Sequence, residues 1–265
     1  MVGDFSSWKA LGASVVGNDH LRTGRPLQDA SAAILTPRPA AVVCDGAGSA
    51  AHAEEGAQVA VQAFRQILET LEPLLNDALD SSRTPSDFAD DLWHYTAGWI
   101  CRALLAAKHE AARMGTGKVA DYSFTFTAVV VGRLRTGVVQ VGDGAVAVDQ
   151  VGSEGCRLVF RPEKGRFCNM TRFLDTKVVE TDAYHTRVLP TSDLKGVMVM
   201  SDGPEVAMVD LARAKPAPIV SQMIGDVAAG ELDRLGLLHY LVGARWQTIP
   251  QGGDDKSVVI LARAV

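Results

Sequence analysis

Cysteine is scarce in this chain of 265 residues: Cys44, Cys101, Cys156 and Cys168 are the only four, and no two have CxxC spacing. That excludes a CxxC redox or metal motif and a disulfide framework, and leaves reduced, mostly structural thiols. Long apolar runs are missing too. No stretch approaches the ~20 apolar residues of a membrane span, and the start MVGDFSSWKALGASVV lacks a basic region followed by an apolar run, so a cytoplasmic protein is expected. Lys and Arg, 26 in all, are scattered against 31 Asp and Glu, for a formal charge of -5. Gripping nucleic acid phosphates needs a basic patch, so nucleic acid is excluded as the main partner. No repeat, low-complexity tract or linker divides the chain. With 47% apolar and 22% charged residues, it reads as one globular domain over 1–265.

Glu54 and Glu55 open a helix whose Ala57, Ala60, Val61, Phe64, Ile67, Leu68, Leu71 and Leu75 recur at three-to-four-residue steps. Early acids suit the positive end of the helix dipole, and Pro73 closes or kinks the helix near its end. A second helix is expected from Thr84 as cap, Pro85 at its first position and Asp87 three residues after the cap, running to about Gly115. Phe88, Leu92, Tyr95 and Trp99 mark its buried stripe. From YSFTFTAVVVG onward, short β-type runs alternate with glycines: GVVQVGDG, AVAVDQVG, CRLVFR and GVMVMSDG. Helical spacing returns in APIVSQMIGDVAAG and ELDRLGLLHYLVGARW, before a last strand, KSVVILARAV. This order lacks the regular βαβα alternation of a parallel sheet. It predicts an α+β sandwich of two mainly antiparallel sheets flanked by helices.

Four acids stand at the ends of expected strands: Asp29 in LQDAS, Asp45 in AAVVCDGAGS, Asp202 in MSDGPE and Asp254 in GGDDKSVVI. Strand ends can bring distant positions into one cleft. Four carboxylates there would repel one another strongly unless cations sat among them.

Taken in order, QDAS, CDGAGS, VQVGDGAVAV, VMVMSDG and GGDDKSVVIL resemble the ordered signatures of the metal-dependent protein phosphatases of the PPM or protein phosphatase 2C type. The resemblance runs from Gly12 to Leu261, and the start GASVVGNDHLRTGRPLQDA is most similar to a bacterial branch. It implies a four-layer αββα sandwich and a Mn- or Mg-dependent serine/threonine protein phosphatase. By that resemblance Asp45 bridges two Mn or Mg ions and the carbonyl of Gly46 ligates one. Asp202 and Asp254 complete one ion, Asp29 holds the second partly through water, and Asp143 matches the site of a weaker third. Two such ions ~3.5–4 Å apart acidify a bridging water into a hydroxide for in-line attack, with no protein nucleophile. The partners implied are phosphoserine and phosphothreonine proteins, with a cognate kinase or its substrates.

Several positions depart from that family's pattern. Gln28 replaces the usual Glu, and Ala47 stands where animal relatives carry a His assigned as general acid. Gly24 occupies the place of the phosphate-binding Arg, with Arg25 one residue off. Arg25 and His20 are the candidate substrate-binding side chains. If the segment is a strand, however, a one-residue offset turns Arg25 to the other face. Val206 replaces a second Asp, and Asp255 stands where Asn is usual, so Asp254 and Asp255 could exchange roles. His52, His94, His109 and His239 read as structural. The stretch from about Gly152 to Leu194, with its basic EKGRFCNMTRFLDTK, corresponds to the flap bordering the cleft.

Those departures keep a second reading open: a catalytically weak or silent member acting as a phosphoprotein-binding or signalling module. A nucleotide cyclase or polymerase loop at GGDD is disfavoured, because it directly precedes the last strand and no basic surface accompanies it. A haloacid-dehalogenase-type phosphatase is disfavoured because Asp45 lacks a second Asp two residues later.

Overall fold

Residues 5–161, 171–249 and 252–264 are described by a computed structural model. The chain enters as strand β1 (Trp8–Val15), turns through the short helix α1 (Asn18–Thr23), and forms the hairpin β2 (Asp29–Ile34) and β3 (Ala40–Asp45). Helices α2 (Ala53–Thr70), α3 (Glu72–Leu75) and α4 (Ser86–Met114) follow, then strands β4 (Phe126–Val131), β5 (Arg135–Val141), β6 (Ala145–Gln150) and β7 (Arg157–Leu158). Beyond them come α5 (Thr176–Glu180), β8 (His185–Pro190), β9 (Leu194–Met200), α6 (Asp202–Met208) and the small ribbon β10 (Val209–Asp210) and β11 (Lys215–Pro216). Helices α7 (Pro218–Ala229) and α8 (Arg234–Leu241) precede the closing strand β12 (Lys256–Arg263).

Two five-stranded sheets result, in the orders β1-β12-β9-β6-β7 and β2-β3-β4-β5-β8, with antiparallel pairing throughout. Alternation along the strands sends one set of side chains between the sheets and the other outward. Trp8, Val43, Val129, Val146, Val199 and Val259 belong to the layer between the sheets. Outward residues of the second sheet pack on α2 and α4 through Phe64, Leu68, Trp93, Ile100 and Phe126. The first sheet is covered by α7 and α8 through Ile224, Val227, Leu237 and Ile260. The expected α+β sandwich is therefore present as helix, sheet, sheet, helix. Among the described residues, no helix is long and apolar enough to cross a membrane.

The first long helix agrees with the sequence pattern: α2 stops at Thr70, and Pro73 lies in the first turn of α3. The second differs in two respects. Thr84 does not cap α4; its hydroxyl donates to the carbonyl of Asp77 at 2.8 Å, and Pro85 occupies the cap position. The buried face is also not the expected one: Phe88, Tyr95 and Trp99 are exposed, Leu92 is half-buried, and Ala89, Trp93, Ala97, Ile100, Cys101 and Leu104 face the core.

Both stripes have helical spacing, so periodicity alone leaves the phase of the helix undecided. The sheet decides it. A Cβ at Gly137 of β5 would lie 2.4 Å from the Trp93 indole, and the indole Nε1 donates to the carbonyl of Val138 at 2.8 Å. A glycine gap with a waiting acceptor selects Trp93 over its neighbours. Trp93→Ala should therefore cost about 3–5 kcal/mol in equilibrium urea unfolding, whereas Phe88→Ala should stay within about 0.5 kcal/mol.

Candidate active site

Strand register explains why acids so far apart in sequence meet. Asp29, the first residue of β2, pairs directly with Asp45, the last of β3. Next along that edge, Thr127 of β4 pairs with Val43, and Phe126 pairs with Val141, so the turn carrying Asp143 emerges at the same end. In the other sheet Met200 of β9 faces both Val258 of β12 and Ala145 of β6. Asp202, just after β9, and Asp254, just before β12, therefore leave their sheet together.

Backbone bonds hold the Asp45 loop. The Asp45 amide donates to Thr125 Oγ1 at 3.1 Å, and its carbonyl accepts from the Thr125 amide at 2.7 Å. Gly46 donates to the carbonyl of Gln28 at 3.1 Å, and Ala47 to that of Ser123 at 2.8 Å. A Cβ at Gly46 would stand 2.6 Å from the carbonyl oxygen of Ala53, so this position needs glycine. Asp29 is instead fixed through its side chain: Ser201 Oγ donates to Asp29 Oδ2 at 2.7 Å and itself accepts from the Ser257 amide at 3.1 Å. The hydroxyls of Ser257, Ser14 and Ser31 continue this polar chain at 2.6 and 2.8 Å.

These carboxylates sit badly together without positive charge. Burial pushes Asp29 up to about 7, with the negative charges of Asp255 and Asp202 adding to the rise and the Ser201 hydrogen bond opposing it. Asp202 is also raised to about 7, by burial first and then by Asp143 and Asp254. Burial likewise carries Asp45 well above the carboxylate range, and Asp29, Asp202, Asp254 and Asp143 all push the same way. Each acid disfavours the ionised form of its neighbours, as crowded like charges in a low-dielectric setting must.

The sequence profile of the protein phosphatase 2C family matches residues 16–234, a span that includes Asp29, Asp45, Asp143 and Asp202. The chain belongs to the protein phosphatase 2C family. It is 28% identical over 249 residues to the serine/threonine-protein phosphatase 3 of Escherichia coli strain K12, covering 89% of each chain. Among solved structures it resembles the catalytic domain of the serine threonine protein phosphatase PstP in complex with 2 manganese ions, with a TM-score of 0.58 at 16% identity over 97% of this chain and 99% of that one. The serine/threonine phosphatase Stp1 from Staphylococcus aureus gives 0.55 at 13% identity, covering 96% and 94%. At such identities the structural likeness carries the fold.

Two adjacent acids in this protein phosphatase 2C chain point opposite ways. Asp255 is buried: its Oδ1 accepts from the Gly17 amide at 2.7 Å and its Oδ2 from the Gln28 amide at 2.6 Å. The Asp254 side chain is 52% exposed. Asp255 thus staples the loop before β12 to the segment leading into β2, and Asp254 is left facing the acid edge. A Cβ at Gly203 would fall 1.9 Å from the carbonyl oxygen of Asp255, so the start of α6 packs directly on this staple. Beside it, Lys256 Nζ donates to the carbonyl of Asp254 at 2.6 Å and lies 5.0 Å over the Trp246 ring. Burial lowers the Lys256 pKa, against the pull of Asp254, Asp255 and Asp29.

The remaining candidates occupy different settings. His20 is buried, with Nδ1 at 3.0 Å from Asp255 Oδ2 and 3.2 Å from the Pro26 carbonyl, and Nε2 at 3.9 Å from Asp254 Oδ1. One ring nitrogen is thereby engaged in holding the staple. Arg25 is exposed, and the segment carrying it lies between α1 and β2 rather than in a strand, so a strand-face argument does not apply to it. Asp143 is exposed and accepts from Thr171 Oγ1 at 2.6 Å. Of the flap stretch, residues 162–170, including Cys168, lie outside the described residues.

Sequence reasoning missed Ser201, Thr125 and Lys108. Lys108 is buried on α4 and donates to the carbonyl of Leu174 at 2.9 Å and to Ser123 Oγ at 3.3 Å, tying the segment before α5 to the loop that receives Ala47. A lysine in a long amphipathic helix gives no signal of such a role.

Among the described residues, no three His, Cys, Asp or Glu side chains close on a ready-made metal site. The donor set nevertheless suits hard divalent cations. It consists of carboxylate and carbonyl oxygens that burden one another electrostatically, and the buried Gln28 Oε1 beside them has no hydrogen-bond partner.

Proposed function

We propose that this chain is a Mn- or Mg-dependent serine/threonine protein phosphatase that hydrolyses phosphoproteins. The observation that carries the reading is the convergence of Asp29 and Asp45 from one sheet with Asp202 and Asp254 from the other, where their charges oppose one another. In this reading Asp45 would serve both ions, Asp202 and Asp254 would complete one, Asp29 would hold the second partly through water, the Gly46 carbonyl would ligate one of the two, and Asp143 would hold a weaker third. Bound divalent cations supply an acidified water and neutralise charge on the phosphoryl oxygens.

The chain's own part is positional. Ser201 fixes the direction of the Asp29 carboxylate, Thr125 clamps the backbone of Asp45 from both sides, and the Asp255 staple sets where Asp254 begins. Ala47 has no proton to give, so the leaving alkoxide is protonated by water or another side chain. The same reading takes 1–265 as one phosphatase domain working in the cytoplasm on phosphoserine and phosphothreonine proteins, opposite a cognate kinase.

With millimolar Mn, purified protein should release phosphate from a phosphothreonine peptide and lose that activity in excess chelator, regaining it when Mn is restored. Gln28, Ala47 and Gly24, where the family's usual Glu, His and Arg are replaced, favour the alternative of a silent phosphoprotein-binding module. Absence of turnover together with absence of heat on calorimetric Mn titration would establish that alternative instead.

A further inference from the structure

The outer face of α4 carries a row of aromatic side chains turned to solvent: Phe88, Tyr95 and Trp99 are 61%, 54% and 43% exposed. Residues 88, 92, 95, 99, 102 and 106 follow one another at steps of four and three, so they form one stripe along the helix. Within it the Tyr95 and Trp99 rings meet edge to face at 6.3 Å, and the Arg102 guanidinium lies 5.9 Å over the Trp99 ring. Single exposed apolar residues need no explanation, whereas a contiguous row of aromatics with an Arg has the composition of a protein interface.

The two halves of the stripe differ. The first holds bulky side chains and an acid, Phe88, Asp91, Leu92 and Tyr95; the second holds Arg102 and the small Ala103 and Ala106. The helix dipole accounts for acids and bases only in the terminal turns, and both Asp91 and Arg102 lie inside a helix that runs from Ser86 to Met114. The neighbouring Asp90 is engaged within the fold, accepting from the Val188 amide at 3.1 Å. Arg102 reaches Asp182 at 3.9 Å with both side chains exposed, a screened contact that holds it weakly.

We propose that α4 pairs with α4 of a second copy of this chain, antiparallel across a two-fold axis at the height of Ala97. A two-fold contact lays each half of the stripe on the other half of its copy. In this register Tyr95 is level with the second copy's Trp99 and Phe88 with its Ala106, while Asp91 falls one residue, about 1.5 Å of helix rise, from its Arg102. A large side chain thus meets a small one, and an acid meets a base, at both ends of the contact. Parallel pairing would instead set Asp91 on Asp91, Arg102 on Arg102 and Phe88 on Phe88. The opposite face of the helix, through Trp93, Ile100 and Leu104, stays packed on the second sheet.

Sedimentation velocity on the wild-type chain should show a monomer–dimer equilibrium with a dissociation constant of about 1–100 μM, since a single helix pair lies at the low end of interface size. Asp91→Arg and Arg102→Asp each bring like charges together twice across the axis, and each should raise that constant at least about tenfold. An equimolar mixture of the two variants should dimerise as wild type does, because both contacts then join opposite charges again. Trp99→Ser should weaken the dimer without altering charge, and melting curves establish that each variant is folded. A wild-type chain that stays monomeric up to about 300 μM overturns the proposal, as does a dimer that all three folded variants retain. Loss of the dimer in both charge variants without recovery in their mixture overturns the antiparallel pairing.

Discussion

Asp45→Asn should abolish Mn-dependent phosphopeptide hydrolysis and at the same time raise the melting temperature of the metal-free protein. Asparagine keeps the shape of the side chain and leaves the backbone bonds to Thr125 in place. What it removes is an ionisable group whose charged form desolvation and the charges of Asp29, Asp202, Asp254 and Asp143 all oppose. Without cations the folded state must keep that group protonated while the unfolded chain ionises it, so replacing it with a neutral amide relieves the folded state. Each 1 kcal/mol of relief corresponds to about 2–4 °C in a chain near this size. With cations the same carboxylate is the proposed bridge, and its loss should lower kcat/KM by roughly a thousandfold or more, about 4 kcal/mol of transition-state stabilisation. The two readouts move in opposite directions, which a misfolded variant cannot reproduce. Retained Mn-dependent turnover would remove Asp45 from the mechanism, and a lower melting temperature would remove the electrostatic account.

How far such a centre can be read from sequence depends on which physical rule places each residue. Asp29, Asp45, Asp202 and Asp254 were legible because each sits where a strand pattern starts or stops, and antiparallel register then brings those ends together. The roles of Asp254 and Asp255 were not separable in sequence. Two neighbouring acids differ only in which way the backbone turns them, and that is decided by the amides of Gly17 and Gln28, more than two hundred residues away in the chain. The face of α4 was misread for a related reason. Phe88, Tyr95 and Trp99 form as regular a stripe as Trp93, Ile100 and Leu104, and only the glycine gap at Gly137 in another element chooses between them. Lys108 lay beyond pattern reading altogether, since its buried acceptors belong to loops rather than to a periodic element.

The acid edge also fixes the sign of the pH dependence of stability. Asp29 and Asp202 are each raised from 3.8 to about 7 in the folded protein, and Asp45 is raised as well. Between those values the folded state holds protons that the unfolded chain has released, so stability falls as pH rises. The favourable contribution is complete below the unfolded value of 3.8 and is lost as pH climbs through the folded value of about 7. Each group can contribute at most a little over ~1 kcal/mol per pH unit across that window. In the presence of chelator, melting temperature should therefore decline steadily from about pH 5 to about pH 7.5, over the interval these shifts define. Saturating Mn should flatten or invert the decline. Cations bind the ionised acids of the native state, so their stabilisation grows as protons leave. Asp45→Asn in chelator should show a shallower slope than wild type, because one of the coupled acids is gone. A metal-free profile that is flat or rising through this range would mean that these carboxylates do not burden one another, and the case for a cation-requiring edge would lose its physical basis.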